Sequence, residues 1–152
     1  MKRVFALVAA LLVLAGCGVR PSDVIPAGEA PGQPANTQTV LFWLGDGRLV
    51  GYPRLTPAVL APNEAVAALL RGPTPAEQNF DLGTALPIMD VLVTTTFLDG
   101  VVEVTVDTAV ASWSATALDQ VACTVLTSGE RAGAVAVVGT DERRDARSCP
   151  LL

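Results

Sequence analysis

The segment Asn63 to Pro87 (NEAVAALLRGPTPAEQNFDLGTALP) constrains the fold most, because it stops and restarts a helix between two strand-rich stretches. Pro62 and Asn63 open it, Val66, Leu69 and Leu70 recur at helical spacing, and Gly72-Pro73 stops it. Pro in the first turn and Gly-Pro past the last are the asymmetry of a short helix. Thr74-Pro75-Ala76-Glu77 is a second start signal. The Thr hydroxyl can accept from an open backbone N–H, Glu three residues on can reach back, and Pro occupies the first helical position. The segment reads as a helix from Pro62 to Arg71, a tight break, one more helical turn and a loop ending at Pro87.

Strand patterns lie on both sides. Thr39 to Leu44 is β-branched and aromatic, Gly45-Asp46-Gly47 makes a turn, and Arg48 to Tyr52 returns as a hairpin partner. Pro53 and Pro57 are expected to end that pairing, since neither can donate to a ladder. Asp90 to Leu98 is the strongest strand, and Asp99-Gly100 is a two-residue hairpin turn that tolerates positive φ. Val102, Val104 and Val106 then alternate with polar residues, one face buried and one wet. Ser114 and Thr116 can cap a second helix, whose stripe is Leu118, Val121, Ala122, Val125 and Leu126. Ser128-Gly129 ends it, and Gly133 to Gly139 reads as a short buried strand. The order hairpin, helix, hairpin, helix, strand predicts an α+β two-layer sandwich, with two helices packed on one face of a mixed four- to five-stranded sheet. The last residues, Ser148 to Leu152, read as an edge strand or a loop.

The chain ends read differently from its middle. Lys2 and Arg3 precede an apolar run from Val4 to Leu14, too short to span a bilayer and suited to an export signal. Leu14-Ala15-Gly16-Cys17 follows, and it resembles a bacterial lipobox, in which the Cys thiol is alkylated by diacylglycerol before cleavage on its N-terminal side. The alternative is an ordinary secretory signal with a chance Cys. A doubly acylated Cys17 would hold a membrane stably, where a single chain would not. Residues 1–16 are thus read as a signal peptide. Residues 17–37, with Pro21, Pro26, Pro31 and Pro34, are read as a lipidated Cys and a tether unable to bury a core. Residues 38–140 form the folded domain, and 141–152 a charged tail. The reading places the protein on the outer face of the bacterial cytoplasmic membrane, its domain facing the periplasm or wall zone.

Loss of Lys2 and Arg3 with the signal moves the formal charge from −5 to −7 and leaves no Lys. No basic cluster exceeds Arg143-Arg144, so nucleic acid is excluded as a partner. Nor would such a domain be drawn to anionic lipid. Of the three Cys, Cys123 and Cys149 remain as candidates for a disulfide tying the tail to the body; two buried free thiols are the alternative.

Candidate sites are sparse. The chain has no His, the commonest general base and metal ligand. Ser112, Ser114, Ser128 and Ser148 read as caps and loop residues. Asp46 and Asp99 read as turn residues before Gly, with a glycosidase-like carboxylate pair as the alternative. Asp141, Glu142 and Asp145 lie among three arginines and read as a solvated tail rather than a calcium loop. No catalytic residue, metal site or cofactor is expected. Trp43 reads as core. Trp113, in the loop before the second helix, has core and binding-patch readings, because aromatic anchors concentrate interface energy. The Gly72-Pro73-Thr74 turn likewise has a structural and a binding reading.

These residues carry a resemblance over Val40 to Val138. Glu64-Ala65-Val66-Ala67-Ala68-Leu69-Leu70-Arg71-Gly72-Pro73-Thr74 with Glu77, then Leu82 to Pro87, Val104 to Asp107, and Leu118, Gln120, Val121 and Thr124 resemble the GerMN domain of sporulation and spore-germination proteins and envelope lipoproteins. The tail beyond Thr140, with Cys149, has no counterpart in that pattern. The resemblance implies a non-enzymatic module in envelope or sporulation assemblies, with an envelope protein as partner. A binder of cell-wall polymer (peptidoglycan) or of a small solute is the second reading, and a hydrolase the third.

Overall fold

The computed structural model describes residues 37–129 and 131–152. The signal, Cys17 and the tether as far as residue 36 lie outside them. Strands β1 (Thr37–Gly45) and β2 (Arg48–Thr56) form an antiparallel hairpin. Its turn has positive φ at Asp46 (51°) and Gly47 (73°), the conformation a two-residue Asp-Gly hairpin requires.

Helix α1 (Pro62–Leu70) follows, with Glu64 accepting from the Ala61 N–H at 2.9 Å. Gly72, at φ 84°, turns the chain out of it. Helix α2 (Pro75–Gln78) is the single turn read from Thr74 and Glu77: the Thr74 hydroxyl accepts from the Glu77 N–H at 3.3 Å, and the Glu77 carboxylate accepts from the Thr74 N–H at 2.7 Å.

Strands β3 (Val93–Leu98) and β4 (Val101–Val106) are antiparallel about Asp99-Gly100, whose φ angles are 50° and 81°. Helix α3 (Ala115–Thr127) is capped by Ser114 and carries the chain to β5 (Ala134–Val138), parallel to β4. The inward alternation is as read: Val102, Val104 and Val106 are buried. So are Leu118, Val121, Ala122 and Val125 of α3. The two longer helices pack on each other, and each also reaches strands of both sheets.

The α+β class stands, but the strands divide into two sheets, β1-β2 and β3-β4-β5, in place of one sheet of four to five. Hydrogen bonding gives the reason. In the hairpin, Phe42 and Leu44 turn their peptide groups away from β2, and the Phe42 N–H and both Leu44 groups are already taken. The Phe42 N–H donates to the Thr124 hydroxyl of α3 at 3.0 Å. Leu44 exchanges two bonds with Gly83, at 2.8 and 2.7 Å. A further strand therefore finds no open ladder on β1.

One other expectation is corrected and a second is refined. Pro53 does not end β2, but faces Val40 within it. Counting pairs from the two-residue turn puts Val40–Pro53 at a position where no bond crosses, and β2 is an edge strand, so the missing N–H costs nothing. The segment 141–147 is solvent-facing, as read, but it is held to the body rather than a loose tail. Val135 and Arg147 exchange backbone bonds at 2.9 and 3.0 Å, and Arg144 donates to Val137, so the segment lies along the β5 edge. Arg144 also donates to the carbonyls of Val110, Ala111 and Trp113. Asp141 accepts from the Val110 and Ala111 N–H groups, and these bonds, Val110's foremost, hold its carboxyl below the usual value against some desolvation. Ser148 to Leu152 is loop and turn.

Cys123 and Cys149 are joined by a disulfide, Cα atoms 4.6 Å apart, in a satellite core with Phe42, Leu49 and Leu126. Replacing both Cys by Ala is expected to lower unfolding free energy by about 3 kcal/mol, measured by denaturant titration, through lost loop closure. At the end of β5, a Cβ on Gly139 would sit 2.6 Å from the Thr108 carbonyl oxygen and 2.7 Å from a Val110 methyl. Gly139→Ala should cost about 1–3 kcal/mol in the same titration, because backbone and a buried side chain must both move.

Candidate functional site

The stop-and-restart segment and β2 together build a surface with both a recess and neighbouring aromatic rings. Beyond Gly51, β2 carries Tyr52, Arg54 and Leu55 past the α2 turn, and an open groove of about 350 Å³ runs between them. Its floor is charged. Glu77 is 3% exposed, unusual for a carboxylate, and every direction around it is occupied. Arg54 donates through Nε to Oε1 at 2.9 Å and through Nη2 to Oε2. The Thr74 N–H and hydroxyl donate to Oε2 at 2.7 and 2.9 Å. The Arg54 guanidinium also reaches the Gly72 carbonyl at 3.5 Å and lies 5.3 Å from the centre of the Trp43 ring.

Burial pushes the Glu77 carboxyl up, but the Arg54 hydrogen bonds, the Thr74 N–H and hydroxyl, and the Arg54 charge together outweigh it. The net displacement is downward. Glu77 is therefore ionised and saturated with donors, with no proton to give and no oxygen free to take one. It acts as a strut, joining β2 to the Gly72-Pro73-Thr74 turn, and it has no geometry for acid–base work.

The rim is apolar. The rings of Tyr52 and Phe80 stand 5.6 Å apart, and Phe80 and Leu55 are each 63% exposed. Ile88, also exposed, covers Gly72, where a Cβ would meet its side chain at 3.3 Å. Large apolar side chains are thus held over a rigid charged floor.

Trp113 is not part of this surface. It is 5% exposed within the main core, so it has no ring to offer a partner, and of its two readings the core one holds. Trp43 is fully buried, as read. Asp46 and Asp99 occupy their hairpin turns. Ser114 is a cap and the Ser128 hydroxyl donates to the Val125 carbonyl. Among the described residues no group of three or more His, Cys, Asp or Glu side chains could hold a metal ion. Arg54 and Phe80 were missed by sequence reasoning. Arg54 follows a Pro expected to end the strand, and Phe80 follows the short helix in a segment without periodicity. The only available signal was Glu77, whose cap geometry points it inward.

No family model matches the sequence, and no curated protein sequence matches it either. The fold does find a match in the tandem GerMN domains of the sporulation protein GerM from Bacillus subtilis. The TM-score is 0.58 at 18% identity, over 82% of this chain and 48% of that one. The fold is GerMN-like. The chain spans about half the length of that tandem structure. In GerMN-like terms, the run Glu64 to Thr74 with Glu77 supplies α1, the turn and the groove floor. Leu82 to Pro87 supplies the loop that closes the β1 edge.

Because its folded value lies below the unfolded value of about 4.3, Glu77 stabilises the domain above that pH, and the contribution is lost as pH falls through the folded value. Urea titrations of wild type and Glu77→Gln from pH 7 to pH 2 should show the variant about 3 kcal/mol less stable at pH 7, with the gap closing in acid.

Proposed function

We propose that this chain is a membrane-anchored extracytoplasmic lipoprotein, and that its GerMN-like domain is a non-enzymatic protein-interaction module in cell-envelope or sporulation-related assembly. The observation that carries the reading is the groove rim, where exposed Phe80 and Leu55 and half-buried Tyr52 present apolar surface over an ion pair already satisfied from within. Large, rigid aromatic side chains with little conformational freedom to lose are the residues that dominate protein interfaces. A floor whose only carboxylate is locked offers recognition without a reactive group. The export signal and the lipobox-like Leu14 to Cys17 support the anchored, extracytoplasmic placement. The likeness to a sporulation protein supports the assembly context.

A second reading, binding of wall polymer or a small solute, is favoured by one feature: the Tyr52–Phe80 ring pair beside a recess of about 350 Å³ could receive a sugar ring.

In-cell cross-linking separates the two. The full-length chain should capture one discrete envelope protein. Cys17→Ser, released from the membrane, should lose that capture, and Phe80→Ala, still anchored and folded, should reduce it about tenfold. Label recovered on the sacculus with anchored and unanchored forms alike would replace the protein-partner reading with the polymer one.

A further inference from the structure

The three-stranded sheet has one edge that nothing in the domain closes. On β5 the outer side is covered by the segment from Arg143 to Arg147. On β3 the position differs. Counting from the Asp99-Gly100 turn, Val93, Thr95 and Phe97 face β4 at pairs that no hydrogen bond crosses, so their N–H and C=O groups point outward. The Asp107 N–H bond to the Leu92 carbonyl fits the same alternation. Among the described residues no backbone bond outside the β3–β4 ladder reaches those three.

The usual protections of an edge are missing. β3 reads VTTTFL, without Lys, Pro or a bulge, whereas the β2 edge carries Pro53 and Arg54. Leu92 is 72% exposed, and Phe97 and Leu98 are more than half exposed. Next to this edge a recess of about 190 Å³ opens on the outer face, where Leu92 and Thr94 lie beside their cross-strand neighbours Asp107 and Thr105.

The charge pattern selects the occupant. Asp90 and Asp99 bracket the strand, and they are the only charged residues from Ile88 to Val102. Asp107 adds a third carboxylate at the recess. None of the three takes part in a salt bridge among the described residues. Antiparallel pairing of β3 with itself about Thr95 would set Asp90 of one copy opposite Gly100 and one position from Asp99 of the other, so an acidic end meets an acidic end and nearby like charges oppose a second copy. A basic strand meets the opposite sign at both ends.

We propose that β3 is the docking edge for an extended segment of a partner protein, which adds to the sheet as a strand, places apolar side chains over Leu92, Phe97 and Leu98, and sets an Arg or Lys in the recess against Asp107. This adds main-chain pairing as a recognition mode. It rests on the interaction-module reading only for the existence of a partner, and it uses a surface other than the groove.

The probe is a capped nine-residue peptide of alternating Val and Thr with Arg at each end, added to the full-length protein in detergent micelles. Amide hydrogen exchange is followed by NMR. Saturable binding should slow exchange at Val93, Thr95 and Phe97 by about tenfold or more. Thr95→Pro removes an outward N–H that β4 does not use, so the fold should persist while the protection disappears. Asp107→Asn, a surface change, should weaken binding about threefold or more and flatten its salt dependence. Phe80→Ala should leave peptide binding unchanged, so the groove and the edge can fail separately. Absence of protection at the three amides, or Asp107→Asn binding equal to wild type, would overturn the proposal. So would protection that grows with protein concentration without peptide, which would mark the edge as a contact between copies.

Discussion

The buried pairing of Arg54 with Glu77 is the interaction on which the groove depends. A carboxylate taken out of water is costly unless its oxygens are satisfied, and here two donors on Arg54 and two on Thr74 supply that. The arrangement ties together three parts of the chain that have no shared ladder: the far end of β2, the Gly72 turn and the first residues of α2. It also sets what the surface can do. With the charge consumed internally, the groove presents apolar side chains without a free acid or base.

A comparable economy governs the sheets. Each strand edge in a small α+β domain must be paired, covered or protected. The β1 edge is consumed by a helix hydroxyl and by Gly83, and the β5 edge by the C-terminal segment held by Arg144, Asp141 and the Cys123–Cys149 bond. The β2 edge is blunted by Pro53 and Arg54. Among the described residues, β3 combines outward peptide groups with exposed apolar side chains, nearby acids and no proline or cation of its own, and the docking proposal rests on that combination.

Much of the fold was legible because it rests on short-range rules. The Asp-Gly turns, the Thr74–Glu77 cap, the Ser114 cap and the valine alternation of β4 each lie within a few residues of the signal that announces them. What was not legible depends on distant partners. Pro53 is tolerated because β2 is an edge with the right pairing parity. Trp113 is buried because the core closes over it, and the arginines of the C-terminal segment are engaged because carbonyls of the 110–115 loop meet them. The candidate site suffered most, since Arg54 and Phe80 are unremarkable until the turn brings them together.

The sequence by itself determined the elements, their order, the positions of the turns and the α+β class, because hydrophobic period, caps and Gly or Asp at positive φ act locally. Only the tertiary structure decided that the strands form two sheets, which edge stays open, and that Glu77 is a buried strut under an aromatic rim. Those outcomes depend on which backbone groups and charges find each other across long stretches of chain, as with Arg54 and Glu77 at a separation of 23 and Phe42 and Thr124 at 82. No local pattern specifies such pairings, because the free energy that selects them belongs to the packed domain as a whole.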